Sequence, residues 1–303
     1  MKYDTNTVRR FSESLAAAYG NLPVALVEKD VWITYLLQEI YSLPESKFLA
    51  FKGGTCLVKA YYGYYRFSED IDLTWTGSKI PEHEFRRKVL GSVMRELGLE
   101  WYRDDKVNDI AGTQSGRVMN YFLLAPKTGG PPVKLKVTVA FNEKLAFEPK
   151  LIKLKPSLPS EQQAELNALF GKTAEEYFAP PTVLCYSLQE IACEKIRAIL
   201  TRKRQLTRSR DIVDLHAISS HLGGLTEAAP PEAVKAKLAS ALKIPAYKKE
   251  YDRTTQNLMK HLEELVAQVK LDPVFIEKPG PAELSRFAKE LNEYIARKII
   301  NTR

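Results

Sequence analysis

The sequence has few cysteines, few histidines and no long apolar run, and each shortage removes a class of protein. Cys56, Cys185 and Cys193 are too few and too widely spaced for a disulfide framework or a zinc site. They read as incidental thiols of a reducing compartment. Cys56 adjoins a double glycine, but no histidine stands near it in sequence to activate a thiolate, so it reads as a packing residue. His83, His216, His221 and His261 are scattered and show no metal-binding spacing. No apolar stretch approaches the ~20 residues of a membrane helix. Met1-Lys2-Tyr3-Asp4-Thr5 leads into polar sequence, not the apolar core of a secretory signal. Neither a serine-triad signature nor a Walker lysine motif is present. A cytoplasmic protein with no membrane partner is expected.

The chain is long enough, at 303 residues with 45% hydrophobic content, for two domains or one domain with a helical extension. Its net charge of +8 suits nucleic acid, nucleotide phosphates or an acidic partner, and equally suits general solubility. The position of the charge is therefore more informative than its sum.

Phe11, Leu15, Ala18 and Tyr19, then Val27, Val31, Tyr35 and Leu36, recur at helical spacing across residues 7–45, with a break at Leu22-Pro23. Phe48-Leu49-Ala50-Phe51 reads as a strand entering a glycine turn, and Thr55 to Tyr65 returns to helix. Ile71 to Trp75 alternates as a second strand, and Glu84 to Leu97 is helical. Arg117–Leu124 and Val133–Phe141 read as a hairpin around Lys127-Thr128-Gly129-Gly130-Pro131-Pro132. Beyond residue 145 helical patterns dominate, at roughly 160–170, 187–203, 211–221, 231–242, 246–269 and 281–300. The expected class is α+β. A small mixed sheet flanked by helices occupies 1–145, and a helical C-terminal domain occupies 146–303.

Side chains two apart on a strand share a face, with Cα atoms ~6.5–7 Å apart. Asp70 and Asp72 therefore converge on one side of their strand, while Glu69 and Ile71 face the other. Paired carboxylates suit Mg²⁺ or Mn²⁺, and Mg²⁺ keeps several waters and takes further ligands from substrate phosphates. An isolated Asp-x-Asp also occurs as a solvated strand end. Here Gly53-Gly54 opens a helix upstream, where bare N–H groups receive a phosphate. Thr55 adds a hydroxyl donor. Strand, glycine turn, helix and acidic strand together place a triphosphate beside a metal.

These residues carry a resemblance. Phe51-Lys52-Gly53-Gly54-Thr55, Lys59 and Arg66-Phe67-Ser68-Glu69-Asp70-Ile71-Asp72-Leu73 resemble the AbiEii/AbiGii toxin family of nucleotidyltransferases, in the polymerase-beta-like superfamily, and the related MenT toxins. The resemblance implies a nucleotidyltransferase core and a toxin of a toxin–antitoxin or phage-defence pair. Such an enzyme transfers a nucleoside monophosphate from an NTP to an acceptor, with the 3′ end of tRNA as the expected acceptor, and releases pyrophosphate. It also implies a separately encoded antitoxin. Asp70 and Asp72 would hold the metal, and Gly53, Gly54, Thr55, Lys59 and Ser68 the nucleotide.

From Lys195 to Arg210 seven Lys or Arg residues occur with no acid, followed by Asp211 and Asp214. Alone, such a run is a solvated helix end or a phosphate-binding surface. It also resembles the family's second signature, Glu194-Lys195 on a helix followed by Arg210-Asp211-Ile212-Val213-Asp214. The resemblance places Lys195 on triphosphate oxygens and Asp211 in the catalytic cleft, so that the helical domain completes the active site. Spacing alone does not separate Asp211 from Asp214.

Many polymerase-beta-like enzymes take a third carboxylate from a later strand. Here Val133–Phe141 offers Lys134, Lys136 and Thr138 on one face and no acid before Glu143. Either the third acid is absent or Asp211 replaces it. Lys134 and Lys136 either contact phosphates or are simply exposed. Tyr61-Tyr62-Gly63-Tyr64-Tyr65 either stacks on a base or packs the helix on the sheet. The shortfall in acids motivates a second function, a non-catalytic nucleotide- or RNA-binding module. A transferase acting on cationic small molecules is disfavoured by the basic run.

Overall fold

The structure is a computed structural model. It describes residues 2–20, 22–63, 65–78, 82–102, 111–113, 116–126, 132–141, 143–156, 158, 161–203, 209–272 and 274–300, with 82, 111–113, 116 and 117 described by backbone only. The chain divides into two units. The first comprises Met1–Gly112, Arg117–Glu143 and Pro149–Cys185; the second comprises Thr113–Gly116, Lys144–Glu148 and Tyr186–Arg303.

In the first unit, helix α1 (Thr5–Ala18) starts at Asp4, whose carboxylate accepts the Thr7 N–H at 2.7 Å. Helix α2 (Val24–Ser42) is buried on almost every side, through Val27, Val31, Trp32, Tyr35, Leu36 and Ile40. A helix apolar all round belongs in a core, and α2 packs on α1. Strand β1 (Leu49–Lys52) runs into α3 (Gly53–Cys56), which continues as a π-helical stretch, Leu57–Tyr62. Strand β2 (Asp70–Trp75), helices α4 (Glu82–Phe85) and α5 (Gly91–Leu97), and strands β3 (Glu100–Trp101), β4 (Ala111–Thr113), β5 (Gly116–Leu124), β6 (Lys134–Phe141) and β7 (Lys150–Lys153) follow. Helices α6 (Gln163–Phe170) and α7 (Lys172–Phe178) precede β8 (Thr182–Cys185).

The sheet order is β3-β5-β6-β2-β1-β8-β7, with β4 paired to β5. Strand β2 lies between β1, antiparallel with Lys52 opposite Asp72, and β6, parallel with Asp70 opposite Lys136 and Asp72 opposite Thr138. Ile71, Leu73 and Trp75 point into the core, so the period of two fixes the outward face of Asp70 and Asp72. The β5–β6 hairpin forms as expected; residues 127–131 of its loop lie outside the described residues.

Strands β7 and β8 lie between the expected helices, in segments for which the sequence suggested no element. Strand β8 pairs parallel to β1, and β7 pairs antiparallel to β8 at the sheet edge. The sheet-bearing unit therefore runs to Cys185, past the boundary expected at 145. Strand β7 exposes Lys150, Leu151 and Lys153 together, so no alternation marks it.

The second unit is helical, in keeping with the expected α+β class. Helix α8 (Leu188–Thr201) is capped by Ser187, which accepts the Glu190 N–H at 3.1 Å. It is followed by α9 (Ser209–Leu222), α10 (Leu225–Ala228), α11 (Pro231–Ala241), α12 (Pro245–Gln256), α13 (Leu258–Val269) and α14 (Pro281–Tyr294). The helix expected over 246–269 is broken at Asn257, at φ −137° and ψ 40°. Helix α8 packs against α9, α11 and α12. Among the described residues no helix is long and apolar enough to cross a membrane.

Candidate nucleotide and metal site

The chain leaves β1 at Lys52 and turns into α3 through Gly53, whose φ of +77° favours glycine. A Cβ here would overlap Asp72 Oδ2 and come within 3.1 Å of Asp72 Cγ. A Cβ on Gly54 would overlap the Arg66 guanidinium and come within 3.1 Å of Ser68 Oγ. Side chains thus lie against both glycines, and at Gly53 the positive φ adds a second reason for glycine. Thr55 is buried, and its hydroxyl donates to the Asp70 carbonyl and accepts from the Ser68 hydroxyl at 2.8 Å. That hydroxyl ties the turn to β2, so the phosphate donor expected at Thr55 is engaged within the fold.

Asp70, Asp72 and Thr74 share one face of β2 with Lys136 and Thr138 of β6. Lys136 Nζ lies 3.7 Å from Asp70 Oδ2, both side chains being partly exposed. Thr138 Oγ1 donates to Asn120 Oδ1 at 3.1 Å. Lys134 is engaged elsewhere, with its Nζ 2.7 Å from Tyr102 Oη. Glu143 pairs with Lys52 and accepts the Thr74 hydroxyl at 3.0 Å. Asp70 and Asp72 fit a hard divalent cation: two carboxylate donors sit on one face, and the missing Gly53 side chain leaves the backbone against one of them. Among the described residues no group of three or more His, Cys, Asp or Glu side chains is placed to hold a metal ion. A cation here would complete its shell with water and substrate oxygens.

Lys59 does not share that face. Its side chain is 1% exposed, with Nζ 2.9 Å from Asp30 Oδ1 and 2.9 Å from Thr34 Oγ1. The Tyr177 hydroxyl donates to the other Asp30 oxygen at 2.9 Å. The π-helical stretch turns Lys59, which the sequence suggested as a nucleotide ligand, toward Asp30 and Thr34 of α2. In the aromatic cluster, Tyr62 and Tyr65 meet edge to face at 6.2 Å, and burial pushes the Tyr61 hydroxyl up. Tyr64 lies outside the described residues.

In the second unit Lys195 is buried between two carboxylates, 3.0 Å from Asp211 Oδ1 and 2.5 Å from Asp214 Oδ2. Arg202 Nη1 lies 3.4 Å from Asp211 Oδ2. Burial pushes the Asp211 carboxyl up, but Lys195 and Arg202 outweigh it and hold the group below the ordinary carboxylate value. Asp214 is the more deeply buried of the two acids. Next to this cluster on α8, Lys237 of α11 pairs with Glu190 at 2.6 Å and Glu194 at 2.7 Å, and Glu190 also accepts the N–H groups of Ala146 and Phe147 at 3.0 Å. Arg204 and Arg208 of the basic run lie outside the described residues.

Sequence reasoning did not single out Arg66 or the Lys52–Glu143 pair. Arg66 is 2% exposed, and its guanidinium donates to the Phe67 carbonyl at 2.9 Å beside Gly54. In the sequence Arg66 shows only as the first residue of the quoted motif; its burial and its place beside Gly54 are visible in the structure alone.

A search of the curated proteins finds no match. The family described as "Nucleotidyl transferase AbiEii toxin, Type IV TA system" matches residues 35–294, which include the glycine turn, the aspartate pair and the Lys195–Asp211 cluster. The chain belongs to the AbiEii nucleotidyltransferase toxin family.

Proposed function

We propose that this chain transfers a nucleoside monophosphate from an NTP to a hydroxyl of an RNA acceptor, the 3′ end of tRNA, with Mg²⁺ or Mn²⁺ held by Asp70 and Asp72. It acts in the cytoplasm as the toxin of a pair whose antitoxin is separately encoded. One observation carries this: both carboxylates share a face at the edge of a glycine turn where a side chain on Gly53 would overlap Asp72. Family membership supports the reaction class.

In this reading the acceptor oxygen bonds to the α-phosphorus, the bond from that phosphorus to the β-phosphate oxygen breaks, and pyrophosphate leaves as the hydroxyl gives its proton to solvent water. When bound, the divalent cation supplies charge neutralisation at the reacting phosphate and lowers the pKa of a coordinated hydroxyl. Asp70 and Asp72 orient that charge. The Gly53-Gly54 backbone offers N–H groups to phosphate oxygens, and the Arg66 guanidinium adds positive charge beside Gly54, while Ser68 borders the same glycine. Resemblance to the family, rather than any distance, supports a requirement for Lys195 and Asp211.

Incubating the purified protein with total tRNA, Mg²⁺ and each labelled NTP in turn tests the substrate assignment. Label on the tRNA 3′ end from one NTP is expected. Label on another RNA or on a protein would reassign the acceptor. Nucleotide binding without transfer to any acceptor would favour the non-catalytic module, the reading that the two-carboxylate set also permits.

A further inference from the structure

The register of β2 and β6 treats the two aspartates differently. On the β6 side Asp70 faces an ammonium, that of Lys136, at 3.7 Å, whereas Asp72 is opposite Thr138; on the β1 side Asp72 is opposite Lys52, which pairs with Glu143. Lys134, two residues earlier on the same strand, is turned to Tyr102. Glu143, the next acid along the chain, is engaged by Lys52 and Thr74. Strand β6 therefore brings a cation, and no acid, to the carboxylate that would bind a metal.

We propose that Lys136 is a substrate-positioning residue that alternates between two partners. Without a divalent cation it neutralises Asp70, and once the cation holds Asp70 it moves to a triphosphate oxygen of the nucleotide. This rests on the assignment of Asp70 and Asp72 as the metal site. A divalent cation and an ammonium beside the same carboxylate oxygen repel each other. The Lys136–Asp70 pair is 30% and 24% exposed, and pairs of that kind hold weakly, so the lysine is readily displaced. Its flexible four-carbon stem lets it turn to a new anion. The nearest is a phosphate on the same cation, since Mg²⁺ fills its remaining positions with phosphate oxygens. Lys136 thus opposes the cation binding alone and favours the cation binding with nucleotide, so that cation and nucleotide bind cooperatively.

Mn²⁺ binding to the full chain, followed by electron paramagnetic resonance with and without a non-hydrolysable NTP analogue, tests this on wild type, Lys136→Met, Lys136→Gln and Asp70→Asn. Both Lys136 variants are expected to bind Mn²⁺ alone about fivefold or more tightly than wild type, and to lose the gain in Mn²⁺ affinity that the analogue confers. They are expected to bind the analogue more weakly. A purely structural role would weaken both ligands together. Unchanged or weaker Mn²⁺ binding in the Lys136 variants, no binding in any chain, or a retained gain with analogue would overturn the proposal. Undiminished Mn²⁺ binding by Asp70→Asn would instead remove the metal assignment on which it rests.

Discussion

Gly53 and Asp72 are in such close apposition that a single methyl group on the glycine would overlap the aspartate's carboxylate oxygen. A turn residue on one strand end and an acid on the neighbouring strand are thereby locked into one geometry. Gly53→Ala must strain a backbone at φ +77° and push Asp72 aside at once. The strain alone costs about 1–3 kcal/mol. The variant is expected to fold with a lowered melting temperature and to lose most transfer activity. A Gly53→Ala protein with wild-type rate and stability would show that the apposition does not matter.

Lys59 belongs to the core, so its loss should register in stability first. Lys59→Met leaves Asp30 buried with its ammonium partner removed. Removing one partner of a buried pair costs about 3–5 kcal/mol. Denaturant unfolding is expected to show a loss of that size. The double variant Lys59→Met/Asp30→Leu should recover part of it, because it removes the buried carboxylate along with its ammonium partner. A loss confined to nucleotide affinity would return Lys59 to the binding site.

The second unit carries two buried acids with opposite pH dependence. Asp211 is held below its ordinary 3.8 because Lys195 and Arg202 outweigh burial. Its pairing stabilises the fold above 3.8, and that contribution disappears as pH falls through the lower folded value. Burial raises Glu190 above its ordinary 4.5, with Lys237 only partly offsetting. The folded state then binds the proton more tightly, and stability declines as pH rises from 4.5 through the folded value. Stability measured across pH should therefore show a shallower acid loss in Asp211→Asn and a weaker decline above pH 4.5 in Glu190→Gln. Acid profiles identical to wild type would contradict both assignments.

The turn, the aspartate pair and the hairpin were legible because each is a local pattern: a double glycine, a period of two, a glycine-proline loop. The roles of Thr55 and Lys59 were not. Their partners are the Asp70 carbonyl, 15 residues away, and Thr34, 25 residues away, and no local pattern encodes such pairings. Strand β7 escaped because both its faces are exposed, with Leu151 at 74%. The break at Asn257 escaped because neither glycine nor proline marks it. The alternation of β6 revealed which side Lys136 occupies, but only the parallel register shows that Asp70 is its neighbour.

The central claim is that Asp70 and Asp72 hold the cation of a nucleotidyl transfer. Pyrophosphate release and acceptor labelling, measured together for wild type and a folded Asp72→Asn protein at saturating Mg²⁺, test it most directly. Loss of a metal-holding carboxylate forfeits several kcal/mol of charge stabilisation, or about 10²–10³-fold in rate. The account predicts a fall of that size in both products. Release and labelling by Asp72→Asn at the wild-type rate would contradict it.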